Sequence, residues 1–253
     1  MARWTNKWIR LLEKCQRQVE CYANALRFGF VFVRSRGFQL PRSIRVAGRS
    51  VTLHFPPDKG VSEDFFICVV RNEYGLGHGL SSVQTVVDIG ANVGFFSMAA
   101  RERYPDAIIH AYEPNPRVLP SLRSNTEGLQ IRVFPEAVGG QSGFVSLLDS
   151  GDSNQARTSA GDGSIPMVSL ATVLERLGRP LDLLKLDCEG AEWEMFPLKE
   201  CWQQIHNVRM EYHLFHGETV SQLEQILLEL GFRPTRWRHD VGFGTVWASH
   251  SRS

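Results

Sequence analysis

The chain has 253 residues, of which 43% are hydrophobic and 22% are charged, a composition typical of a soluble globular protein with one sizeable domain. Its formal net charge of +1 excludes a general electrostatic attraction to nucleic acid or other acidic polymers. The five cysteines are widely spaced and form no Cys-x-x-Cys pair, which argues against a zinc knuckle or a disulfide framework. Without a membrane-spanning apolar run or a secretory signal, the sequence predicts a cytoplasmic protein.

The N-terminal segment carries a large share of the positive charge, because residues 1–36 contain eight Lys or Arg and only two acids, a net charge of +6. Its apolar residues recur every three or four positions and predict one stripe of an amphipathic helix: Trp4, Trp8, Leu11, Cys15, Val19, Tyr22 and Leu26. The basic residues fall on another face: Arg3, Lys7, Arg10, Lys14 and Arg17. We expect this helix to pack on its own domain or on a second copy in a homodimer. The alternative is docking on an anionic membrane surface or a carrier protein.

Residues 1–60 are predicted to form an N-terminal extension, made of this helix and a short β-hairpin. The hairpin is predicted from the strand-like runs at 44–46 and 51–55, the second of which ends at Pro56. Residues 62–64 then have the composition of a helix N-cap before an apolar run. We expect the main domain to occupy residues 61–253.

Strands and helices alternate along the main domain. Strands are predicted at 85–88, 107–112, 131–134, 181–186, 208–213, 232–238 and 244–250, with helices at 95–104, 116–125, 168–177 and 220–230. This alternation is typical of a mostly parallel sheet flanked by helices, in which a terminal hairpin makes one strand antiparallel. A short extra strand is predicted at 144–148. Residues 149–164 are rich in Ser, Gly and Asp, and we interpret them as a mobile loop that could act as a lid.

The first motif with chemical meaning is a strand that ends in Asp88 and a glycine turn that opens a helix. Gly90 and Gly94 lie in a Gly-x-x-x-Gly spacing, which differs from the Gly-x-Gly-x-x-Gly of dinucleotide-binding proteins. Glycines at such a turn let the backbone approach a ligand closely. A purely structural turn is the alternative interpretation.

A second motif follows the next strand, where Glu113 lies 25 residues after Asp88. A carboxylate at this place can accept hydrogen bonds from the two hydroxyl groups of a ribose. Pro114 and Asn115 would then lie near an adenine. Asn115 before Pro116 also suits a helix N-cap, and both interpretations can hold together.

A third motif, residues 184–192, brings three carboxylates to the end of an apolar strand. They belong to Asp187, Glu189 and Glu192. Open α/β sheets place their sites at the carboxyl ends of the strands, so a functional role is favoured, although helix capping could explain one or two of these acids.

Together these segments resemble the FkbM family of methyltransferases. The matching segments are Asp88–Gly94, Glu113-Pro114, Glu136–Gly139, Val168–Leu170 and Leu184–Glu192. The resemblance covers roughly residues 64–213, and the ordered set is specific although each piece is not. Cys188 departs from the Val or Ile usual in the family, and residues 149–164 carry no family signal.

The resemblance implies a class I methyltransferase fold, Rossmann-like, with a mostly parallel seven-stranded sheet and S-adenosylmethionine at the strand ends. By position, Gly90, Ala91 and Asn92 would face the methionine portion, Glu113 the ribose, Glu136 and Ala137 the adenine, and Asp187 the methionine or the transferred methyl group. Asp88, Gly94, Pro114 and Asn115 complete the expected cofactor-binding set. Family members are often O-methyltransferases of sugars or secondary metabolites, which implies a small-molecule or glycan substrate.

A hydroxyl group is a poor nucleophile at neutral pH, so a base or a metal ion should assist the reaction. His213 is the first candidate base and His216 the second, although either could be an ordinary surface or capping histidine. Asp187 and Glu189 are the other expected catalytic residues. Asp187, Glu189 and Glu211 could instead hold a divalent cation, which we do not favour from the sequence.

Two other classes of function remain as alternatives. A Rossmann-type oxidoreductase with a nucleotide cofactor would use the same fold class, but the glycine spacing and the acids of residues 187–192 argue against it. A non-catalytic cofactor-binding subunit would be favoured by loss of Asp88, Gly90 or Glu113, and all three are present.

Overall fold

The computed structural model describes residues 2–35, 38–57, 59–80, 82–148, 157–160 and 163–250; the side chains of residues 2–13, 59, 148 and 157–160 are outside the description. In chain order the elements are α1 (Ala2–Arg27), β1 (Ser43–Val46), β2 (Arg49–Thr52), α2 (Lys59–Phe65), a π-helical turn (Phe66–Val70), β3 (Thr85–Ile89), α3 (Phe95–Arg103), β4 (Ile108–Tyr112), α4 (Leu119–Thr126), β5 (Ile131–Phe134), β6 (Ala137–Gly139), β7 (Gly143–Leu148), β8 (Arg157–Ala160), β9 (Ile165–Ser169), α5 (Leu170–Leu177), β10 (Leu183–Leu186), α6 (Glu192–Met195), α7 (Lys199–Trp202), β11 (Asn207–His213), α8 (Val220–Glu229), β12 (Phe232–His239) and β13 (Phe243–His250).

The main sheet has seven strands in the order β12-β13-β11-β10-β3-β4-β5. Neighbours from β5 to β11 pair in parallel, and β13 is antiparallel to both β11 and β12. The central strands β3 and β10 are buried along their whole length, as expected for parallel strands covered by helices on both faces. The predicted fold class, a class I methyltransferase sheet with one reversed strand, is confirmed.

The direction in which strands are added reverses between β3 and β10. From β3 the chain adds β4 and β5 on one side, whereas β10 and β11 are added on the other. In an open α/β sheet a crevice forms at the carboxyl ends of the two strands where the order reverses, and ligands bind there. This topology therefore brings the motifs that follow Ile89 and Leu186 to one place.

Several predicted boundaries change in the structure. The helix expected at 168–177 begins at Leu170, because Val168 and Ser169 end strand β9. The Ser169 side chain accepts a hydrogen bond from the backbone N–H of Thr172 and so caps α5. The predicted N-cap at residues 62–64 is wrong, since these residues lie inside α2, and the helix expected from Pro116 begins at Leu119.

The structure has a second sheet of four strands, in the order β6-β9-β7-β8. Of these four strands, the sequence predicted only β7. Strand β8, Arg157–Ala160, lies within the stretch expected to be a mobile loop, and it pairs antiparallel with β7. That part of the loop prediction is therefore wrong. Residues 149–156 and 161–162 lie outside the described residues, so the lid interpretation stays a prediction.

The N-terminal extension packs into the same hydrophobic core as the main domain. Phe32, from the extension, shares a buried cluster with Phe65 and Phe95, and its ring lies 5.7 Å from that of Phe66. The hairpin β1–β2 contributes three more residues to this cluster: Ile44, Val46 and Val51. The extension is therefore continuous with the core that supports α3.

From Lys14 to Arg27, where its side chains are described, α1 contacts the domain through a face other than the predicted apolar stripe. Cys21 and Ala25 are buried, whereas Val19 and Leu26 of the stripe are 64% and 69% exposed. The stripe residues before Lys14 lie outside the described side chains, so docking or homodimer formation through the stripe stays a prediction. None of the helices in the described residues has the length and apolar character needed to cross a bilayer.

The packing of the extension predicts different effects at two adjacent residues. Phe32 is 4% exposed and Val33 is 70% exposed. Phe32→Ala should lower the free energy of unfolding by about 3 kcal/mol, because it leaves a cavity among aromatic rings, whereas Val33→Ala should change it by less than about 0.5 kcal/mol. Urea titration monitored by fluorescence measures both values. Equal, small effects would contradict the shared core.

Candidate active site

A cavity lies at the carboxyl ends of β3 and β10, where the strand order reverses. We call it the switch-point cavity. It is lined by nine of the residues predicted to bind cofactor or act in catalysis: Gly90, Ala91, Asn92, Glu113, Pro114, Glu136, Ala137, Asp187 and Glu189. The folded chain thus brings together residues from four separate sequence motifs.

Gly90 allows the turns after β3 and β10 to touch. Its φ is +75°, and a Cβ atom added there would lie 1.8 Å from the backbone oxygen of Asp187, a distance that no side chain permits. The backbone N–H groups of Gly90 and Ala91 both donate to the carbonyl oxygen of Tyr112 at 3.0 Å. The glycine turn is therefore joined to β4 as well as to the loop after β10.

Glu113 is buried and lines the switch-point cavity. Its two carboxylate oxygens accept hydrogen bonds from the backbone N–H groups of Asn92 at 2.7 Å and Asn115 at 2.8 Å. Burial raises its pKa to about 7, although these two bonds act in the opposite direction. Each oxygen keeps a lone pair for a ligand hydroxyl group.

Three predicted cofactor residues shape the cavity without being among the residues that line it. Asp88 is fully buried, and its carboxylate accepts a 2.6 Å hydrogen bond from Ser97. Gly94 precedes α3 with a φ of +93°, which ends the turn. Asn115 holds Glu113 in place through its backbone N–H. These residues fix the backbone of the site, and neighbouring residues form the surface of the cavity.

Lys185, which the sequence analysis did not single out, binds both turns. Its ammonium group donates to the carbonyl oxygens of Gly90 at 2.6 Å and Ile89 at 3.3 Å. It also pairs with Asp88 at 3.4 Å and Asp187 at 3.3 Å. Burial alone would lower the pKa of Lys185, but the two carboxylates raise it above its ordinary value. The signal that could have identified this residue from the sequence is a charged lysine within an otherwise apolar strand.

A second cavity, which we call the outer cavity, adjoins the first. Asp64, Asp187 and Glu189 line both cavities. Tyr74 also lines the outer cavity and donates a 3.1 Å hydrogen bond to Asp187. Asp64 and Tyr74 come from the segment before β3, where the sequence carried no recognisable site motif.

His213, the first candidate base, lies on the outer cavity with only 5% of its surface exposed. Its backbone N–H lies 2.8 Å and its ring Nδ1 lies 3.3 Å from the same oxygen of buried Glu192. Burial acts to lower its pKa, but the hydrogen bond with Glu192 and the charge of Glu189 raise it to about 9. At this pKa the imidazole holds its proton at neutral pH, and the role of His213 as the base stays a prediction.

The second candidate base, His216, lies outside both cavities. It lines a shallow groove beside α8, and its backbone N–H donates to Glu218. This placement gives it no contact with the switch-point cavity. Glu192, predicted to have some functional role, is fully buried and acts by orienting His213 and the loop at Gly190.

Comparisons with known proteins agree with the topology, which is that of the class I methyltransferase fold. Residues 88–234, more than half of the chain, match the family model for the methyltransferase FkbM domain. The chain belongs to the FkbM methyltransferase family. It is 29% identical over 202 residues to methyltransferase sdnD of Sordaria araneosa, an alignment that covers 63% of this chain and 77% of that protein.

Solved structures of methyltransferases are also similar to this chain, at low identity. Magnesium protoporphyrin IX methyltransferase from Synechocystis PCC 6803, with bound SAM, has 12% identity and a TM-score of 0.46, covering 76% of this chain and 78% of that one. Ribosomal protein L11 methylase from Lactobacillus delbrueckii subsp. bulgaricus has 13% identity and a TM-score of 0.46, covering 79% and 82%.

The contact between the two turns predicts that Gly90→Ala is strongly destabilising. The new Cβ would collide with the Asp187 backbone, so we expect the free energy of unfolding to fall by more than about 3 kcal/mol. Gly178 is the matched control, because its φ is +70° but nothing lies within 4 Å of an added Cβ. Gly178→Ala should cost only about 1 to 2 kcal/mol of backbone strain. Equal losses in urea titrations would show that the close approach contributes nothing.

Proposed function

We propose that this protein transfers a methyl group from S-adenosylmethionine to a hydroxyl group of a sugar or secondary metabolite. The observation that carries this proposal is the pair of adjoining cavities that share the carboxylates of Asp64, Asp187 and Glu189. The switch-point cavity is suited to the cofactor, and the outer cavity to the acceptor. Membership of a methyltransferase family supports the reaction class.

The switch-point cavity offers a separate contact for each part of the cofactor. Glu113 would accept hydrogen bonds from the ribose hydroxyl groups, and Glu136 with Ala137 would flank the adenine. The glycine turn at Gly90 leaves space for the methionine portion. The carboxylate of Asp187 would then lie near the sulfonium, whose positive charge it attracts.

The chain's own contribution to the reaction is positioning and proton removal. S-adenosylmethionine supplies a methyl group that is already activated by its sulfonium. The outer cavity would hold the acceptor oxygen in line with that methyl group and keep water away. As the oxygen–carbon bond forms and the carbon–sulfur bond breaks, the hydroxyl proton needs an acceptor, and Glu189 faces both cavities.

The backbone of Glu189 supports a functional role for its side chain. Its φ is +53°, a left-handed conformation that costs a non-glycine residue roughly 1 to 2 kcal/mol. The following residue, Gly190, also has a positive φ of +106°. Two successive residues in this region turn the chain sharply, and the Glu189 side chain lines both cavities.

Transfer of a labelled methyl group to a panel of hydroxylated sugars and metabolites tests the activity directly. With a substrate from that panel, Glu189→Gln should lower kcat by about 10²- to 10⁴-fold and leave the affinity for S-adenosylmethionine nearly unchanged. Glu224→Gln, which removes an exposed carboxylate of α8 that lines neither cavity, is the control and should keep near-normal kcat. Wild-type protein that binds neither S-adenosylmethionine nor S-adenosylhomocysteine would overturn the proposal.

The pKa of Glu113 predicts how cofactor affinity depends on pH. Because this pKa is about 7 and the ribose hydroxyl groups require the ionised carboxylate as acceptor, protonation below pH 7 opposes binding. Lowering the pH from 8 to 6 should therefore weaken binding of S-adenosylhomocysteine about tenfold. Isothermal titration at the two pH values measures the change.

Two variants test whether this pH dependence comes from the carboxyl group of Glu113. Glu113→Gln should bind more weakly at pH 8 and lose most of the dependence. Asp64, whose pKa is raised by burial to about 6, lines the same cavity, so Asp64→Asn is the control and should retain most of it. A tenfold change that persists in Glu113→Gln would contradict the assignment to the ribose contact.

A further inference from the structure

Three potential metal ligands converge on the wall of the outer cavity. Asp187, Glu211 and His213 each offer one ligand atom, and these atoms lie within 4.8 Å of one another. Asp187 follows β10, while Glu211 and His213 lie at the end of the neighbouring parallel strand β11. From these three side chains we propose a site for one divalent cation that coordinates the acceptor hydroxyl group. The role of the cation rests on the proposed function.

The orientation of His213 is that of a metal ligand. Its Nδ1 faces the fully buried carboxylate of Glu192, the partner that fixes ring orientation in carboxylate–histidine–metal arrangements. The Nε2 atom on the opposite edge faces Glu189 at 3.5 Å and Glu211 at 3.7 Å, both long for a hydrogen bond. A side chain that is 5% exposed thus directs a ring nitrogen toward the carboxylates of the cluster.

The spacing of these atoms also fits a shared ion. Two atoms that each lie about 2.1 Å from one cation are roughly 3 to 4 Å apart, and the separation of 3.7 Å between His213 Nε2 and Glu211 Oε1 falls in this range. One nitrogen and two carboxylate oxygens suit Mn²⁺, Co²⁺ or Mg²⁺. Three protein ligands would leave positions on such an ion for the acceptor oxygen and water.

The charges around the cluster do not balance within the described residues. Two basic groups, Lys185 and His213, face six carboxyl groups: Asp64, Asp88, Asp187, Glu189, Glu192 and Glu211. Burial and the charge of Asp187 raise the pKa of Glu211 to about 8, so this group adds little negative charge at neutral pH. Lys185 is already engaged by Asp88 and Asp187. A dication would offset the remaining negative charge. Three acids alone gave a weak sequence signal for a metal; the structure adds the oriented histidine.

A cation here would act on the acceptor and leave the cofactor contacts alone. It would polarise a bound hydroxyl group and make its proton easier to remove, next to the carboxylate of Glu189. Tyr74 donates to Asp187 and would hold that ligand in place. The cation and the cofactor would then lie on opposite sides of Asp187, which lines both cavities.

Binding of Mn²⁺ to the chelator-treated full chain tests the site without any turnover. Isothermal titration and electron paramagnetic resonance should show one Mn²⁺ per chain. Pulsed resonance should detect coupling to an imidazole nitrogen, which Asp187 and Glu211 cannot produce. Glu211→Gln should weaken Mn²⁺ binding by at least about tenfold and keep S-adenosylhomocysteine binding. Glu63→Gln, which also removes a carboxylate from the outer cavity, should bind Mn²⁺ like the wild type.

No Mn²⁺ binding up to about 1 mM, binding unchanged by Glu211→Gln, or an absence of nitrogen coupling would each overturn the cation site. If Mn²⁺ fails to bind while S-adenosylhomocysteine still binds, only this inference fails. If S-adenosylhomocysteine does not bind, the proposed function fails independently of the metal result.

Discussion

The contacts of the buried ammonium group of Lys185 hold the site together. It joins the carbonyl oxygens of Ile89 and Gly90, at the end of β3, to the carboxylates of Asp88 and Asp187. Removing one partner of such a buried network leaves an uncompensated charge, which is far more costly than losing a surface ion pair. This one cation therefore keeps two adjacent strand ends, with their acidic residues, in a fixed relation.

The glycine turn and the acidic loop follow from that constraint. Because the two strand ends are held together, only glycine fits at position 90 against the backbone of Asp187. The loop after Asp187 then turns through the left-handed residues Glu189 and Gly190 and brings its carboxylate beside His213. The negative charge gathered there suits a sulfonium in one cavity and a polarised or cationic group in the other.

Much of the main sheet could be predicted because its strands are apolar runs that end in turn residues. Strand β5, Ile131–Phe134, agrees with the prediction at both ends. The four-stranded sheet could not be predicted, because β6 has three residues and β8 lies among small polar residues without hydrophobic alternation. The carboxylate of Glu113 could be placed from its motif. The partners of Lys185 and the approach of Asp64 and Tyr74 depend on tertiary packing, which local sequence patterns do not contain.

The proposed function requires the cofactor to lie between the glycine turn, Glu113 and Asp187. A crystal structure of the chain with S-adenosylhomocysteine tests it most directly. We expect both ribose hydroxyl groups within hydrogen-bond distance of the Glu113 carboxylate, and the sulfur atom facing the wall shared with the outer cavity. A ligand bound elsewhere, or a ribose without contact to Glu113, would contradict it.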